Sequence, residues 1–333
     1  IAFGLSFVSV VLLVSFEGIQ MLDVFAETFY AGLNSFVLLS IPMFILMGMA
    51  VANSPAGKDL YTDTTDDDYD NANSLQSFES DGFTLGTDNG PNNSSKRYVA
   101  WTWDMGGSNA NNTTGSIDSV VRANATYGQS IVKWTGNGTT GHGLSSAPEM
   151  IIVKPIDVAG AWWTWHKDLS NTSQGYLQLN TTAAEATNSS LWDNASPVTS
   201  TTINANTAYI NYATDNYIAY CFHSVTGYSK IGSYTGSGSS GKVVTTGFAP
   251  AFVLVKNTGA AENWAIVDNT RSPTNPATKA LFPNSNEVEQ DNAVNAVDFN
   301  SDNFTVDSTD DRWNGNGATY IYMAFADKRE YAY

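Results

Sequence analysis

Three histidines, His142, His166 and His223, and a single cysteine, Cys221, are the side chains best suited to metal or nucleophilic chemistry in this chain. The histidines lack metal-ligand spacing, and no nucleophile elbow is present. One cysteine rules out an internal disulfide framework and a Cys-based metal site, and a free thiol is usually a small core residue. Asp63, Asp66, Asp67, Asp68 and Asp70 offer carboxylates of the kind calcium prefers. The glycine and closing glutamate of an EF-hand loop are missing, so these residues are expected to be a solvated acidic linker. Gly136, Gly138 and Gly141 match a dinucleotide-binding pattern, as do Gly236, Gly238 and Gly241. That pattern holds pyrophosphate only where a strand runs into a helix. Here the apolar runs Ile151 to Val153 and Val253 to Val255 come next, which predicts β-turn loops. Carboxylate pairs are so frequent in an acidic chain that none marks a glycosidase site. The expectation is a non-enzymatic protein without catalytic residues, metal or cofactor, with a carbohydrate-active enzyme as the distant alternative.

Aromatic residues offer a better candidate. The run Ala161 to His166 (AWWTWH) aligns with Glu262 to Val267 (ENWAIV), pairing Trp163 with Trp264. In that register Trp163 and Trp165 keep apolar counterparts and belong to the core. Trp162 falls opposite Asn263 and turns to the other face, where it is expected to be exposed. An exposed aromatic beside polar side chains can stack a sugar ring or dock a partner, which makes Trp162 with His166 the candidate binding pair. A loop covering Trp162 is the competing expectation.

A duplicated β framework would have to position these residues. The string Trp134 to Gly138 (WTGNG), followed by Ala147 to Lys154 (APEMIIVK), returns as Tyr234 to Gly238 (YTGSG) and Ala249 to Lys256 (APAFVLVK). A closing strand occurs three times: Tyr98 to Trp103 (YVAWTW), Tyr217 to Phe222 (YIAYCF) and Tyr320 to Phe325 (YIYMAF). A period of about 100 residues is too long for a solenoid and points to duplicated domains. Within the closing strand Val99, Trp101 and Trp103 correspond to Ile218, Tyr220 and Phe222 and to Ile321, Met323 and Phe325. Strand periodicity puts all nine on one core-facing side. The opposite side keeps its tyrosine and is otherwise mostly small. Short strands between Gly, Asn and Ser turns predict a mainly β chain of tandem antiparallel β-sandwich repeats, jelly-roll or lectin-like, after an α-helical membrane-like segment. The boundaries are a membrane-helical segment 1–52, an acidic linker 53–73, a partial β repeat 74–129, and sandwich repeats 130–229 and 230–333.

Charge separates the two parts of the chain. Residues 1–52 carry only Glu17, Asp23 and Glu27, and the first of the 15 Lys and Arg is Lys58. Ile1 to Val14 is apolar but shorter than the ~20 residues that cross a bilayer. Met21 to Leu33 has the mixed character of an interfacial helix. Ser35 to Asn53 is uncharged, contains Pro42, and is the transmembrane candidate. Lys58 alone sets no orientation. Ile1 in place of Met suggests a fragment, and no basic region or cleavage site marks a signal peptide. A net charge of −17 over 333 residues repels phosphate backbones, which excludes nucleic acid as a partner.

Two family resemblances follow. Gly32 to Phe36 and Ile41 to Gly48 resemble the amino-terminal part of the large permease subunit of TRAP-type dicarboxylate transporters (DctM-like), over roughly residues 1–60. That resemblance implies transmembrane, sodium-coupled uptake of organic acids. The other spans of such a permease are absent, so no midplane site can assemble and this fragment is expected to be inactive. Ser80 to Gly86 (SDGFTLG), Tyr98 to Trp103, Gly141 to Lys154 and Gly317 to Ala326 (GATYIYMAFA) resemble tail-fibre and other virion-surface proteins of marine bacteriophages, over about residues 72–330. This second resemblance implies a structural or receptor-binding module at a virion or cell surface. It would be a homotrimer beside other virion proteins and would bind a host-surface receptor or glycan. The membrane would be its partner through residues 1–52 if both parts form one product. The change of character near Asn53 then reads as a junction between two unrelated families.

Overall fold

The computed structural model describes residues 58–327, apart from 80, 81, 194, 207 and 208. The expected membrane-helical segment, residues 1–52, lies outside them. No helix among the described residues is long and apolar enough to cross a membrane.

β-Branched and aromatic runs separated by Gly, Asn and Ser favour short strands, and the described chain is mainly β, in several sheets. The largest sheet has eight strands, ordered Ala186–Thr187, Gly175–Gln178, Trp163–His166, Met150–Pro155, Asn216–Phe222, Gln129–Thr135, Ser119–Asn124 and Ala110–Asn112. A second has four, ordered Ser229–Thr235, Thr319–Ala326, Pro250–Asn257 and Ala265–Asp268. In both, the strand headed by the recurring tyrosine is flanked on each side by an antiparallel neighbour. Ala219 stands opposite Val132 and Val153, and Met323 opposite Ile231 and Leu254.

Alternation sorts each strand onto two faces. Ile218, Tyr220 and Phe222 meet Ile321, Met323 and Phe325 in a single core shared by the two large sheets, together with Ile152, Leu254 and Trp264. The opposite faces are buried too, which one-sided amphipathicity did not predict. Tyr217, Ala219 and Cys221 pack with Trp134, Trp192 and Ile203, where Thr202–Asn204 pairs with Thr139–Gly141. Tyr320, Tyr322 and Ala324 pack with Val253 and Phe304, where a three-stranded sheet of Lys242–Thr245, Asn303–Val306 and Val297–Phe299 covers them. Small residues beyond the tyrosines on these faces, Ala219 and Cys221 on one and Ala324 on the other, leave room for the covering layer.

The two glycine-rich loops connect strand to strand, Thr135 to Thr139 and Thr235 to Lys242, and hold no helix. Their first glycines have a steric role. A Cβ on Gly136 would lie 2.9 Å from the Tyr217 ring, and one on Gly236 would lie 3.0 Å from the Tyr320 ring. Each loop therefore crosses flat against a buried tyrosine.

Three expectations need correction. Tyr98 to Trp103 forms no strand, and among the described residues no strand pairs with it in a sheet. Ser119–Asn124 and Ala110–Asn112, assigned to a partial repeat, belong to the eight-stranded sheet. The acidic stretch is folded over its described part. Lys58–Asp59 pairs with Tyr69–Asp70, Lys58 Nζ reaches Asp68 and Asp70 at 2.8 and 3.0 Å, and Asp68 N donates to Ile156 O. Its apolar residue Leu60 is buried in the shared core, which a solvated linker would not allow.

Candidate functional site

Trp162 is not on the surface. It is 1 % exposed and packs parallel to Tyr220 with ring centroids 6.3 Å apart. Its Nε1 donates to Tyr61 O at 2.9 Å. The cause is a one-residue slip in the expected register, which sends every side chain of a strand to the opposite face. Trp163 stands opposite Val153, and Ala265 opposite Val255, so the structural counterpart of Trp264 is Trp162. Both are in the shared core. The backbone N of Trp162 donates to Asn180 Oδ1 at 3.0 Å, and that of Trp264 to Asn284 Oδ1 at 2.9 Å. Trp264 Nε1 donates to Gln178 O as Trp162 Nε1 does to Tyr61 O. Trp163 and Trp165 are core residues, as expected, although in the layer outside the shared core.

His166 is likewise fully buried. Its Nδ1 accepts from Asp168 N at 3.1 Å, and burial pushes its pKa down to about 4. Neither member of the expected pair can face a ligand. His142 Nδ1 accepts from Leu144 N, and burial lowers its pKa. Burial pushes the Cys221 thiol up to about 12, away from nucleophilic chemistry at neutral pH. Among the described residues no three His, Cys, Asp or Glu gather to hold a metal.

A tyrosine corner recurs at each of the three expected closing strands. Tyr98 OH accepts from Asn93 N at 2.9 Å, Tyr217 OH from Tyr212 N at 2.9 Å, and Tyr320 OH from Gly315 N at 2.7 Å. Tyr98 OH also donates to Asn89 O at 3.2 Å and Tyr320 OH to Asp311 O at 2.6 Å. These bonds pin the start of each following segment. For Tyr98 that segment docks by its side chains on the edge of the shared core. Trp101 meets Phe252 edge-on with centroids 5.6 Å apart, and Trp103 meets Phe252 and Phe325 in the same manner, also at 5.6 Å.

The result is an aromatic groove of about 470 Å³. One wall is the segment from Val99 to Asp104, and the other is Phe252 and Phe325. Tyr127 and Tyr228 close one end from two turns, one between Ser119–Asn124 and Gln129–Thr135 and one between the two large sheets, with ring centroids 4.5 Å apart. Gly128 adopts φ +63° beside Tyr127, and a Cβ there would strike His223 and Val225, so glycine lets the first turn lie against the second. Asp104 ties the wall to the first turn through its backbone oxygen, which accepts from Gln129 Nε2 at 2.7 Å and Asn124 Nδ2 at 3.1 Å.

Charge beneath the groove is organised around Arg271. Its Nε donates to Asp268 Oδ2 and its Nη1 to Glu289 Oε2 at 2.8 Å. The three side chains are 3 %, 4 % and 5 % exposed. Arg271 also lies 5.4 Å from the centre of the Trp101 ring. The sequence assigned Trp101 and Trp103 to the interior of a paired strand and so missed this groove. The available signal was that the expected repeat is incomplete at these residues.

The fold and groove define a β-rich protein of stacked sheets with an open aromatic cleft at the edge of its central core. Residues 50–329 match the family model of a domain of unknown function, DUF7483, and the chain belongs to that family. Residues 1–64 match the DctM component of tripartite ATP-independent periplasmic transporters. No curated protein and no solved structure matches the chain.

Proposed function

We propose that the β-rich part of the chain is a non-enzymatic recognition and structural module on a virion or cell surface, binding a host-surface receptor or glycan in the aromatic groove. The observation that supports this reading is the convergence of Trp101, Trp103, Tyr127, Tyr228, Phe252 and Phe325 on one open cleft. Concave apolar sites with a few polar groups at the rim are the usual form of a ligand site. Within this reading the two large sheets are tandem copies of one jelly-roll or lectin-like unit of about 100 residues. The Tyr98 corner is the remainder of a third. The module works as a homotrimer beside other virion proteins, as the resemblance to phage tail fibres implies. The match of residues 1–64 to DctM favours a second reading for that segment alone, as a membrane piece of permease type.

The test is binding of fluorescently labelled full chain to intact bacterial cells. Saturable binding, competed by unlabelled chain and lost in Thr102→Arg, is expected. Thr102 is an exposed residue of the groove wall, so its arginine variant fills the cleft without disturbing the core. Absence of saturable binding on a broad panel of hosts overturns the reading. A sedimentation mass of one chain overturns the trimer.

A further inference from the structure

The geometry points to a neutral carbohydrate as the ligand of the groove, an inference that rests on the recognition reading above. The groove's own charges decide against the other classes. Among the described residues its lining includes Asp104, Asp268 and Asp327 and no lysine or arginine, and the whole chain carries −17. A phosphate, sulfate or uronate would meet carboxylates and no cationic side chain of that lining.

At Asp268 and the Trp101 ring a cation is disfavoured for a different reason. Asp268 is already committed through both oxygens. Oδ1 accepts from the backbone N of Thr270 and of Arg271 at 3.1 and 2.8 Å. Oδ2 accepts from Arg271 Nε and from Trp101 Nε1. The guanidinium beside the Trp101 ring already occupies the place a ligand cation would seek, and would repel a second one.

A pyranose ring meets what remains. Its C–H faces are apolar and pack on aromatic rings, and its hydroxyls need short polar partners at the periphery. The rim provides them: Thr102 and Thr270 are exposed, Asn269 is partly exposed, and all three line the groove with Asp104. Asp104 accepts from Gly106 N through Oδ1 at 2.8 Å, which fixes the carboxylate at the cleft's end. A volume of about 470 Å³ lies within the roughly 300–1,000 Å³ typical of small-ligand sites and suits a short saccharide. Trp101 and Trp103 are assigned to stacking. Arg271 is a positioning residue, acting through Asp268 and the Trp101 indole.

The experiment is an array of neutral, sialylated, sulfated and uronate-containing glycans probed with the full chain, with a lysine-rich peptide as a counter-probe. Hits are followed by titration of tryptophan emission. Neutral oligosaccharides should bind and shift the emission saturably, and Thr102→Arg should weaken them by about tenfold or more. Trp103→Ala should do the same. Because Trp103 also packs on Phe252 and Phe325, the exposed-site variant keeps the result independent of folding. Binding confined to anionic glycans or to the peptide, and lost in Thr102→Arg, overturns the carbohydrate class while leaving the groove as a recognition site. Neutral-glycan binding that Thr102→Arg leaves unchanged overturns the groove itself. An array without a hit overturns the inference.

Discussion

Trp101 Nε1 donates to Asp268 Oδ2 across 3.3 Å, joining an aromatic segment that forms no strand to the last residue of a sheet strand far along the chain. Asp268 is in turn held by Arg271. The groove wall therefore depends on a buried ion network that no single strand contains. Removing one partner from such a network leaves an uncompensated charge, which costs about 3–5 kcal/mol. Arg271→Met should lower the unfolding free energy by that amount in urea titrations, with Asp268 and Glu289 left without their shared cation. It should also change tryptophan emission, because the guanidinium no longer lies over Trp101. A variant with the wild-type midpoint would show that the network contributes nothing.

Tyrosine corners make a graded prediction. Tyr320 OH bridges Gly315 N and Asp311 O inside the fold; Asp311 O also accepts from Asn257 Nδ2, so Tyr320→Phe leaves the Gly315 N donor unmatched and should cost about 1–3 kcal/mol in denaturant unfolding. Tyr98 makes the same bonds for a segment outside any sheet. Tyr98→Phe should instead leave global stability nearly unchanged and speed amide exchange at 99–104, since local opening is governed by local contacts. Equal global losses in the two variants would contradict the difference in their surroundings.

Much of this architecture was legible in the sequence, and particular residues show where legibility ended. The alternation that grouped Ile218, Tyr220 and Phe222 with Ile321, Met323 and Phe325 is a backbone period and survives folding unchanged. The repeated tyrosine was visible too, although its hydrogen bonds were not. Trp162 was misplaced because three tryptophans stand close together and the wrong one was matched to Trp264. The spacing from Lys154 to Trp162 equals that from Lys256 to Trp264, and this unbroken spacing would have set the register. Trp101 and Trp103 carried the strand pattern faithfully, yet a pattern does not state whether a neighbour exists to pair with. The groove arises because this segment docks by its side chains on Phe252 and Phe325, which only the assembled sheets reveal.

The corrected register has its own consequence. If Trp162 and Trp264 are counterparts, both in the shared core at 1 % exposure, truncating either should open a comparable cavity. Trp162→Ala and Trp264→Ala are each expected to lose about 3–5 kcal/mol by denaturant unfolding. A surface tryptophan would lose far less, so a nearly neutral Trp162→Ala would restore the exposed placement.

Two counterpart lysines extend the argument to pH. Lys154 and Lys256 are fully buried. Lys256 Nζ donates to Asn257 O, Ala260 O and Thr182 O at 2.7, 3.0 and 3.2 Å. Lys154 Nζ donates to Pro155 O at 2.7 Å. Burial pushes both pKa values from 10.5 down to about 8, with carboxylates at Asp67 and Glu262 opposing the shift only in part. Below pH 8 both states of the chain carry these protons, and the folded state bears the cost of holding two ammonium groups out of water. Above pH 8 the folded state releases protons that the unfolded chain still binds, so the number bound is larger in the unfolded state and stability rises with pH. The window closes toward pH 10, where tyrosines begin to ionise in the unfolded chain. The buried ones, such as Tyr322 at about 12, stay protonated in the fold and give a slope of the opposite sign. The melting temperature of wild type relative to Lys154→Met/Lys256→Met should therefore increase from pH 8 to about 9.5. A difference that stays flat or falls over that interval would mean that the carbonyl acceptors keep both lysines fully charged in the folded protein.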